Sequence, residues 1–407
     1  MTLTLKDIQQ AATRITPYIY QTPCTYSPKL SKILNAQVYL KNECKQQTGS
    51  FKERGALNTL LQLSPKQKQQ GVIAASAGNH ALGIAHHAQR LNIPATVVMP
   101  TFAPLMKIVN CQNLGAKVIR HGQNIHDAKK HAMTLVQENN LTYINGFDDL
   151  TIIAGQGTIA LEILDQHPDT QAIIVPIGGA GLIAGIALAA KSINPQIKIY
   201  GVEPKRCASF SAACQNNAPI LIDSTPTIAD GLAVPRVGDN AYHIAKDRID
   251  ALVSVGERAI AIAVLRLIEL EKSVVEGAGA AGLAACLQGK LPQIKNKKIV
   301  IPLCGGNIDT TVLDQIIERG LVADGRLCRF QATISDRPGG LAVFTKLLAD
   351  QGASVKDIAH DRAFAGEDLN AVLVHCVVET RDAQHIKRIR DALTDAKFPV
   401  IFHDLAI

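Results

Sequence analysis

The sequence QQTGSFKERGA, from Gln46 to Ala56, joins a polar turn to the start of a helical pattern. Ser50 and Glu53 have the spacing of a capping box, which predicts Ser50 as the N-cap and Lys52 as the second helical residue. The partial positive charge at a helix N-terminus disfavours a further positive charge beside it. A neutral amine is what a lysine needs to attack a carbonyl group. Lys52 therefore has two interpretations, a reactive amine or an ordinary solvated lysine.

The composition indicates a globular protein of more than one domain. A length of 407 residues predicts two or three domains. Nine cysteines are scattered without Cys-x-x-Cys pairs, which predicts reduced thiols in a cytoplasmic protein. The N-terminus shows no signal-peptide pattern, and no apolar run predicts a membrane span. The net charge of +7 comes from dispersed basic residues, so we expect no nucleic-acid partner.

Strand and helix patterns alternate along most of the chain, from Gln37 to about Arg319. This βαβ rhythm predicts an α/β fold with parallel sheets and helices on both faces. The short polar stretch from Leu321 to Arg326 is a predicted domain boundary. Beyond it the patterns follow the order βαββαβ, which is the ferredoxin-like arrangement. Two of its strands are predicted at Ser354–Ala363 and Pro399–His403.

Three turns rich in small residues directly follow predicted strands: Ser76–His80 (SAGNH), Gly178–Leu182 (GGAGL) and Cys304–Asn307 (CGGN). Ligands bind beyond the carboxyl ends of strands in an open parallel sheet, so we expect these turns to share one site. The SAGNH turn has donors for a carboxylate or a ring hydroxyl, and it equally fits a plain helix cap. In isolation Cys304 reads as a small buried hydrophobic residue.

The GGAGL turn has three interpretations. It precedes a helical run, so its backbone N–H groups and the helix dipole suit a phosphate. Gly179 to Ala184 also fits the G-x-G-x-x-G/A dinucleotide fingerprint, and Glu203 follows the next strand, where a ribose-binding acid belongs. The third interpretation is a tight strand-to-helix turn without a ligand.

Together with TGSFKxRGA at residues 48–56, these turns occur in the order expected of fold-type II pyridoxal-phosphate enzymes. The set closely resembles the threonine dehydratases (threonine ammonia-lyases) over residues 5–320. The C-terminal unit, with its turn Asp336-Arg337-Pro338-Gly339, resembles a single ACT regulatory domain. This combined resemblance makes the dinucleotide interpretation a minor alternative.

The resemblance implies a fold like that of the tryptophan synthase β chain, with two open, mostly parallel α/β subdomains. The catalytic domain would span residues 1–322, with a smaller subdomain at about 54–153 inserted in the larger one. A ferredoxin-like ACT domain would span residues 326–407.

The resemblance also assigns roles around pyridoxal 5′-phosphate. Lys52 would hold the cofactor as a Schiff base and move the substrate Cα proton, with Phe51 against the ring. Asn79 would bind the ring hydroxyl, and Cys304 would face the pyridine nitrogen. A thiol cannot stabilise a protonated ring as a carboxylate would, which suits β-elimination. The phosphate would be held by the backbone of Gly178, Gly179, Ala180, Gly181 and Leu182, and the substrate carboxylate by Ser76, Ala77, Gly78, Asn79 and His80.

Two positions separate the chain from the similar serine racemases. Ala77 stands where those enzymes carry a serine that acts as a base, and alanine cannot transfer a proton. Glu203 matches part of their divalent-metal site, but Cys207, Ala208 and Ser209 follow it in place of the expected aspartate. We therefore expect no racemisation and no metal ion.

The implied activity is conversion of L-threonine to 2-oxobutanoate and ammonia, in isoleucine biosynthesis or threonine catabolism. L-Serine is an expected second substrate, because one methyl group supports only about 1–3 kcal/mol of discrimination. The ACT domain implies a homodimer or homotetramer and an amino-acid effector, isoleucine or valine. Two other functions remain open, a non-catalytic amino-acid sensor and a nicotinamide-dependent oxidoreductase without a yellow chromophore.

Overall fold

The computed structural model describes residues 2–362 and 369–402. The chain divides into two compact units, Met1–Thr310 and Thr311–Ile407. Its nine cysteines are free thiols. Among the described residues, no helix is both long enough and apolar enough to cross a membrane.

The first unit begins with elements that lead into the Lys52 helix: α1 (Leu5–Ile15), β1 (Cys24–Tyr26), α2 (Pro28–Leu34), β2 (Gln37–Lys41) and α3 (Lys52–Leu61). A smaller α/β layer follows: α4 (Pro65–Gln70), β3 (Val72–Ala75), α5 (Asn79–Arg90), β4 (Ala95–Met99), α6 (Leu105–Asn113), β5 (Lys117–Arg120), α7 (Ile125–Asn139) and β6 (Thr142–Tyr143). Its strands pair in parallel in the order β5-β4-β3-β6. This layer lies within the subdomain expected at about 54–153.

The rest of the first unit builds a larger layer: α8 (Leu150–Gln166), β7 (Ala172–Pro176), α9 (Gly181–Ile193), β8 (Lys198–Pro204), α10 (Ser209–Asn216), α11 (Asp239–Ala245), β9 (Ala251–Val255), α12 (Glu257–Glu271), α13 (Gly277–Leu287) and β10 (Lys298–Pro302). The strand order is β1-β2-β10-β7-β8-β9, and β1–β2 is the antiparallel pair. The central strand β7 is buried along its whole length, as its continuous apolar run predicts. The predicted parallel α/β architecture is confirmed.

The second unit is antiparallel. It contains α14 (Thr310–Ala323), β11 (Leu327–Ser335), α15 (Gly340–Asp350), β12 (Ser354–Asp361), β13 (Ala371–Glu379), α16 (Ala383–Asp395) and β14 (Val400–Phe402). The strands pair in the order β12-β13-β11-β14, around a core in which the rings of Phe330 and Phe402 stack with centroids 4.7 Å apart. Two predicted strand ends, Ala363 and His403, lie outside the described residues.

Several elements differ from the sequence patterns. The helix expected to end near Arg319 continues to Ala323, through the first half of the polar stretch predicted as a boundary. The sequence pattern after Asp149 predicts a helix from about Gly155 to Leu164; the helix begins earlier, at Leu150, where the Asp149 side chain caps it by accepting from the N–H of Thr151. The short strand β1 and the helices α10, α11 and α13 were missed. α13 is buried from Gly277 to Cys286, so it lacks the polar face that makes a helix recognisable.

A buried ion-pair network anchors α3 to α8. The guanidinium of Arg54 donates two hydrogen bonds to Glu43, at 2.7 and 2.8 Å, and two to Glu162 of α8, at 2.6 and 2.9 Å. Lys41 of β2 donates to Glu162 at 2.5 Å and to the carbonyl of Thr22 at 2.6 Å. Although burial alone would raise it, Arg54 keeps the pKa of Glu43 below its usual value. Two cations thus balance two carboxylates inside the fold.

The same two helices approach closely through glycines. A Cβ atom on Gly155 would lie 2.6 Å from the Cα atom of Gly55, and one on Gly55 would lie 2.5 Å from the side-chain nitrogen of Gln156. No larger residue fits at this crossing. The charge network and the glycine contact together fix the position of α3, which carries Lys52.

Replacing Arg54 by methionine tests this anchor. We expect the free energy of unfolding to fall by about 3–5 kcal/mol, because two buried carboxylates lose their shared cation. Arg236→Met removes an exposed ion pair to Asp239 and is the control, with an expected loss below about 1 kcal/mol. Denaturant titration followed by circular dichroism measures both variants. A loss of unfolding free energy in Arg54→Met as small as that in Arg236→Met would contradict the role assigned to Arg54.

Candidate active site

Lys52 is the first residue of α3, and the predicted capping box is wrong. Phe51 is the N-cap residue, without a side-chain cap. The backbone of Ser50 is instead drawn into an antiparallel bridge with Gly305, and the hydroxyl of Ser50 is buried without a partner. The carboxylate of Glu53 accepts from the backbone N–H of Thr48 at 2.8 Å. A tertiary contact therefore replaces the local cap.

The Lys52 amine lies in a partly buried position and not on the solvated surface. Its Nζ donates to the carbonyl oxygen of Gly146 at 2.6 Å and lies 5.3 Å from the centre of the Phe51 ring. Burial lowers the pKa of Lys52 from 10.5 to about 8, against the opposing effects of Cys304 and Glu276. The direction agrees with the expectation from the helix dipole, but the main cause is desolvation.

The GGAGL turn follows β7 and opens α9. Ala180 has a left-handed backbone, with φ of 72°, which is strained for alanine. A left-handed residue at such a turn points successive backbone N–H groups into one concavity, which suits an anion. A Cβ atom on Gly179 would lie 2.2 Å from the ring of Phe147, so only glycine fits there. Leu182 points into the core of the larger layer. The first N–H groups of α9, beginning at Gly181, have no acceptor within the helix and are free for an anion.

The CGGN turn lies against the SAGNH turn through two asparagines. Asn307 Nδ2 donates to Asn79 Oδ1 at 2.8 Å and to the carbonyl of Thr48 at 2.6 Å. Cys304 is buried, and its thiol donates to the carbonyl of Pro302. Burial raises the pKa of this thiol well above its usual value, so it stays neutral. The structure thus brings together the TGSFK, SAGNH and CGGN stretches.

The other residues of the SAGNH turn divide between cleft and core. The hydroxyl of Ser76 accepts from the N–H of Gly78, and nothing lies within 4 Å of the place that a Cβ on Gly78 would take, so this backbone faces open space. Ala77 packs beside the core of the smaller layer. The His80 side chain turns away, since its Nε2 donates to the carbonyl of Ile144. Burial lowers the pKa of His80 to about 3, so the ring is neutral.

Sequence reasoning missed Glu276, which precedes α13. Its carboxyl group is buried and accepts from Asn79 Nδ2 at 2.7 Å. Burial, and then the charge of Asp230, raise the pKa of Glu276 to about 7. The available signal was a single acid between the short run SVV and the glycine- and alanine-rich run GAGAAG.

Sequence reasoning also missed the segment from Asn145 to Asp149, which joins the two layers. The carbonyl of Gly146 accepts from Lys52, and the ring of Phe147 covers Gly179. The Asp148 carboxylate accepts from the N–H groups of Asp239 and Ala241, at the start of α11. This segment therefore fixes the lysine relative to the glycine turn.

Glu203 caps α10. Its two carboxylate oxygens accept from the N–H groups of Phe210 and Ser211 at 2.6 and 3.0 Å, and from the Ser211 hydroxyl at 2.6 Å. Among residues 2–362 and 369–402, no three His, Cys, Asp or Glu side chains are grouped to hold a metal ion.

The chain is similar to known proteins in sequence and in structure. The family described as pyridoxal-phosphate dependent enzymes matches residues 15–305. An L-threonine ammonia-lyase of Thermotoga maritima is 41% identical over 391 residues, covering 96% of this chain and 97% of its own length. The structure of maize serine racemase superposes with a TM-score of 0.75 at 36% identity, covering 79% of this chain and 99% of that one. A processed threonine deaminase of Solanum lycopersicum superposes with a TM-score of 0.75 at 38% identity, covering 78% and 87%.

The chain belongs to the fold-type II pyridoxal-phosphate-dependent enzymes. Its residues fit that cofactor: a lysine with a lowered pKa, a glycine turn whose crowding excludes a Cβ atom, and a buried, unpartnered hydroxyl on Ser50, two residues before the lysine. The neutral thiol of Cys304 adds a weak partner of the kind expected at a ring nitrogen.

The lowered pKa of Lys52 makes a prediction about pH. We expect cofactor uptake by cofactor-free protein to rise with pH and level off above a midpoint near 8, because the amine must be neutral to react. Stopped-flow absorbance measures the uptake rate, with Lys45→Ala as a control that removes an exposed lysine nearby. A rate that is still climbing at about pH 10, as for an ordinary lysine, would contradict this environment for Lys52.

Proposed function

We propose that this enzyme is a threonine ammonia-lyase, which converts L-threonine to 2-oxobutanoate and ammonia. The observation that carries the proposal is the neutral, buried thiol of Cys304 in the same cleft as the Lys52 amine. The relative from Thermotoga maritima supports it, since the similarity extends over nearly the full length of both chains. L-Serine is the proposed second substrate, because the methyl group contributes only about 1–3 kcal/mol of discrimination.

The proposed residue roles are those that the resemblance to the threonine ammonia-lyases implies, and the contacts described above support them. Lys52 holds the cofactor, the backbone of residues 178–182 holds its phosphate, Phe51 flanks the ring, Asn79 binds the ring oxygen and Cys304 faces the ring nitrogen. The open backbone of residues 76–80 holds the substrate carboxylate. His80 contributes its backbone N–H, because its imidazole donates to the carbonyl of Ile144. The cofactor, when bound, supplies the electron-withdrawing group that makes the substrate Cα proton removable.

The proton transfers fall to Lys52. Its lowered pKa of about 8 leaves about a tenth of the amine neutral at pH 7, far more than for an ordinary lysine, and the neutral amine takes the Cα proton. The β-hydroxyl then departs with a proton as water, and the enamine that remains is hydrolysed to 2-oxobutanoate and ammonia. The Cys304 thiol is a weak hydrogen-bond partner, so it would do little to stabilise negative charge that spreads from Cα into the cofactor ring. Departure of the β-hydroxyl, which removes that charge, is therefore favoured. Ala77 has no group to protonate Cα from the other face, which disfavours racemisation.

Lys52→Ala tests the proposal directly. We expect loss of 2-oxobutanoate production from threonine and loss of the cofactor's protein-bound absorption, because one amine serves both. Lys45→Ala is the matched control and should retain both, since Lys45 is exposed. Activity or bound chromophore that survives in Lys52→Ala refutes the assignment. A wild-type protein that binds a nicotinamide cofactor and shows no yellow colour would favour the oxidoreductase.

We further propose that the catalytic domain spans residues 1–322 and an ACT regulatory domain spans residues 326–407. The strand order β12-β13-β11-β14 in the second unit is the ferredoxin-like order, which supports this assignment. The proposed assembly is a homodimer or homotetramer that binds isoleucine or valine as effector. The choice between biosynthetic and catabolic roles follows from which effector acts.

Effector titration of the full chain tests the regulatory proposal. We expect isoleucine to change the threonine KM or kcat, and valine to oppose it, because a ligand that prefers one state shifts the population. Alanine serves as a control amino acid. Activity that is unchanged by saturating isoleucine and valine would contradict regulation by these two amino acids.

A further inference from the structure

The side chain of Asn79 is held from both sides by residues distant in sequence. Its Nδ2 donates to Glu276 Oε1 at 2.7 Å, and its Oδ1 accepts from Asn307 Nδ2 at 2.8 Å. Gly305 leaves the space for this arrangement, because a Cβ atom there would lie 2.3 Å from Glu276 Oε1 and 3.0 Å from Asn79 Nδ2. The amide is therefore clamped within the cleft.

The orientation of this amide follows from the chemistry of its neighbours. The oxygen and nitrogen of an amide have similar shapes, so their assignment rests on the hydrogen-bond network. Asn307 faces the backbone carbonyl of Thr48 at 2.6 Å, and a carbonyl only accepts, so the Asn307 atom there is the NH₂ group. That NH₂ group donates its second hydrogen to Asn79, which must present its oxygen to Asn307 and its nitrogen to Glu276.

One donor of Asn79 remains for a ligand. An amide NH₂ has two N–H bonds, and Glu276 uses one of them. Asn79 is partly exposed and lies against the CGGN turn. Toward a bound ring, the free N–H is a donor and favours a ring oxygen that accepts.

We propose that Glu276 and Asn307 are positioning residues that fix Asn79 as a donor to the cofactor's ring oxygen and keep that oxygen free of a proton. The proton then resides on the nitrogen that links the cofactor to Lys52. This inference rests on the cofactor placement proposed above. The network also assigns a purpose to Glu276, for which the sequence offered no role.

The clamp does not require Glu276 to be charged. The charged and titratable groups around its carboxyl are Asp230, Lys107, Lys52, Cys44 and Cys304, and Lys107 pairs with Asp230 at 3.1 Å. A protonated carboxyl group still offers its carbonyl oxygen to Asn79, as does a glutamine side chain. Glu276→Gln therefore keeps the acceptor and removes only the charge.

Asn307→Asp is the decisive variant. Aspartate cannot donate to Thr48 or to Asn79, so Asn79 rotates its NH₂ group toward position 307. Its oxygen then takes the place of the nitrogen beside Glu276, where a protonated Glu276 donates to it, and presents an acceptor to the cleft. The ring oxygen then keeps its proton. The two protonation forms of the bound cofactor absorb at different wavelengths, so their ratio is read without substrate. We expect Asn307→Asp to shift this ratio by about tenfold toward the protonated form, as for one lost hydrogen bond.

Three further variants complete the experiment. Glu276→Gln should keep the ratio close to that of the wild type. Glu203→Gln is the matched control, a buried glutamate that bonds to Phe210 and Ser211 and not to Asn79, and it should also leave the ratio unchanged. Asn307→Ala removes the donor without adding a charge. We expect it to shift the ratio toward the protonated form by less than Asn307→Asp does, and it replaces that variant as the test if Asn307→Asp does not fold.

The outcomes separate this inference from the proposed function. A folded, cofactor-loaded Asn307→Asp or Asn307→Ala protein with the wild-type ratio overturns the clamp, while leaving the role of Lys52 intact. A wild-type protein without a Lys52-dependent chromophore overturns the proposed function itself. A large shift of the ratio in Glu276→Gln would show that charge and not amide orientation controls the ring oxygen, and it too would overturn the clamp.

Discussion

The buried pairing of Arg54 with Glu43 and Glu162 is the constraint on which the site depends. Removing such charges from water is costly, and the cost is offset only when each is met by opposite charge and hydrogen bonds. Here the guanidinium makes four such bonds, two to Glu43 and two to Glu162, and the pair to Glu162 fixes α3 against α8. Lys52 lies two residues before Arg54 on the same helix, so anchoring the arginine in the core fixes where the amine emerges.

From that anchor, the cleft is assembled by segments that hold one another in place. The segment from Asn145 to Asp149 receives the Lys52 amine, covers Gly179 and caps α11, so it relates the smaller layer to the larger one. Asn307 donates to Asn79 and to Thr48, so it holds the CGGN turn after β10 against the SAGNH turn and against the stretch that leads to Lys52. Desolvation by this enclosure, rather than the helix dipole, lowers the pKa of Lys52. Enclosure and reactivity therefore have the same origin.

The sequence was informative where local pattern and strand direction determine structure. Parallel strands carry their carboxyl ends to one edge, which explains why the GGAGL and CGGN turns follow β7 and β10 at the same edge of the larger sheet. The SAGNH turn follows β3 of the smaller sheet and meets the CGGN turn through a tertiary contact between Asn79 and Asn307. The sequence was uninformative where a distant partner decides. Glu276 acquires its meaning from Asn79, 197 residues earlier, and Ser50 loses its predicted capping role to a bridge with Gly305. The sequence does not predict α13, because a helix that is buried on every side has no alternation of apolar and polar faces.

The central claim is that Lys52 is the residue that binds the cofactor. Borohydride reduction of the cofactor-loaded protein fixes the cofactor to the lysine that holds it, and peptide mass spectrometry then locates the label. The account predicts a single labelled tryptic peptide, Gln46–Arg54, in which Lys52 is the one lysine and is no longer cleaved. A label on another lysine, such as the buried Lys41, or the absence of any covalent label, would contradict it.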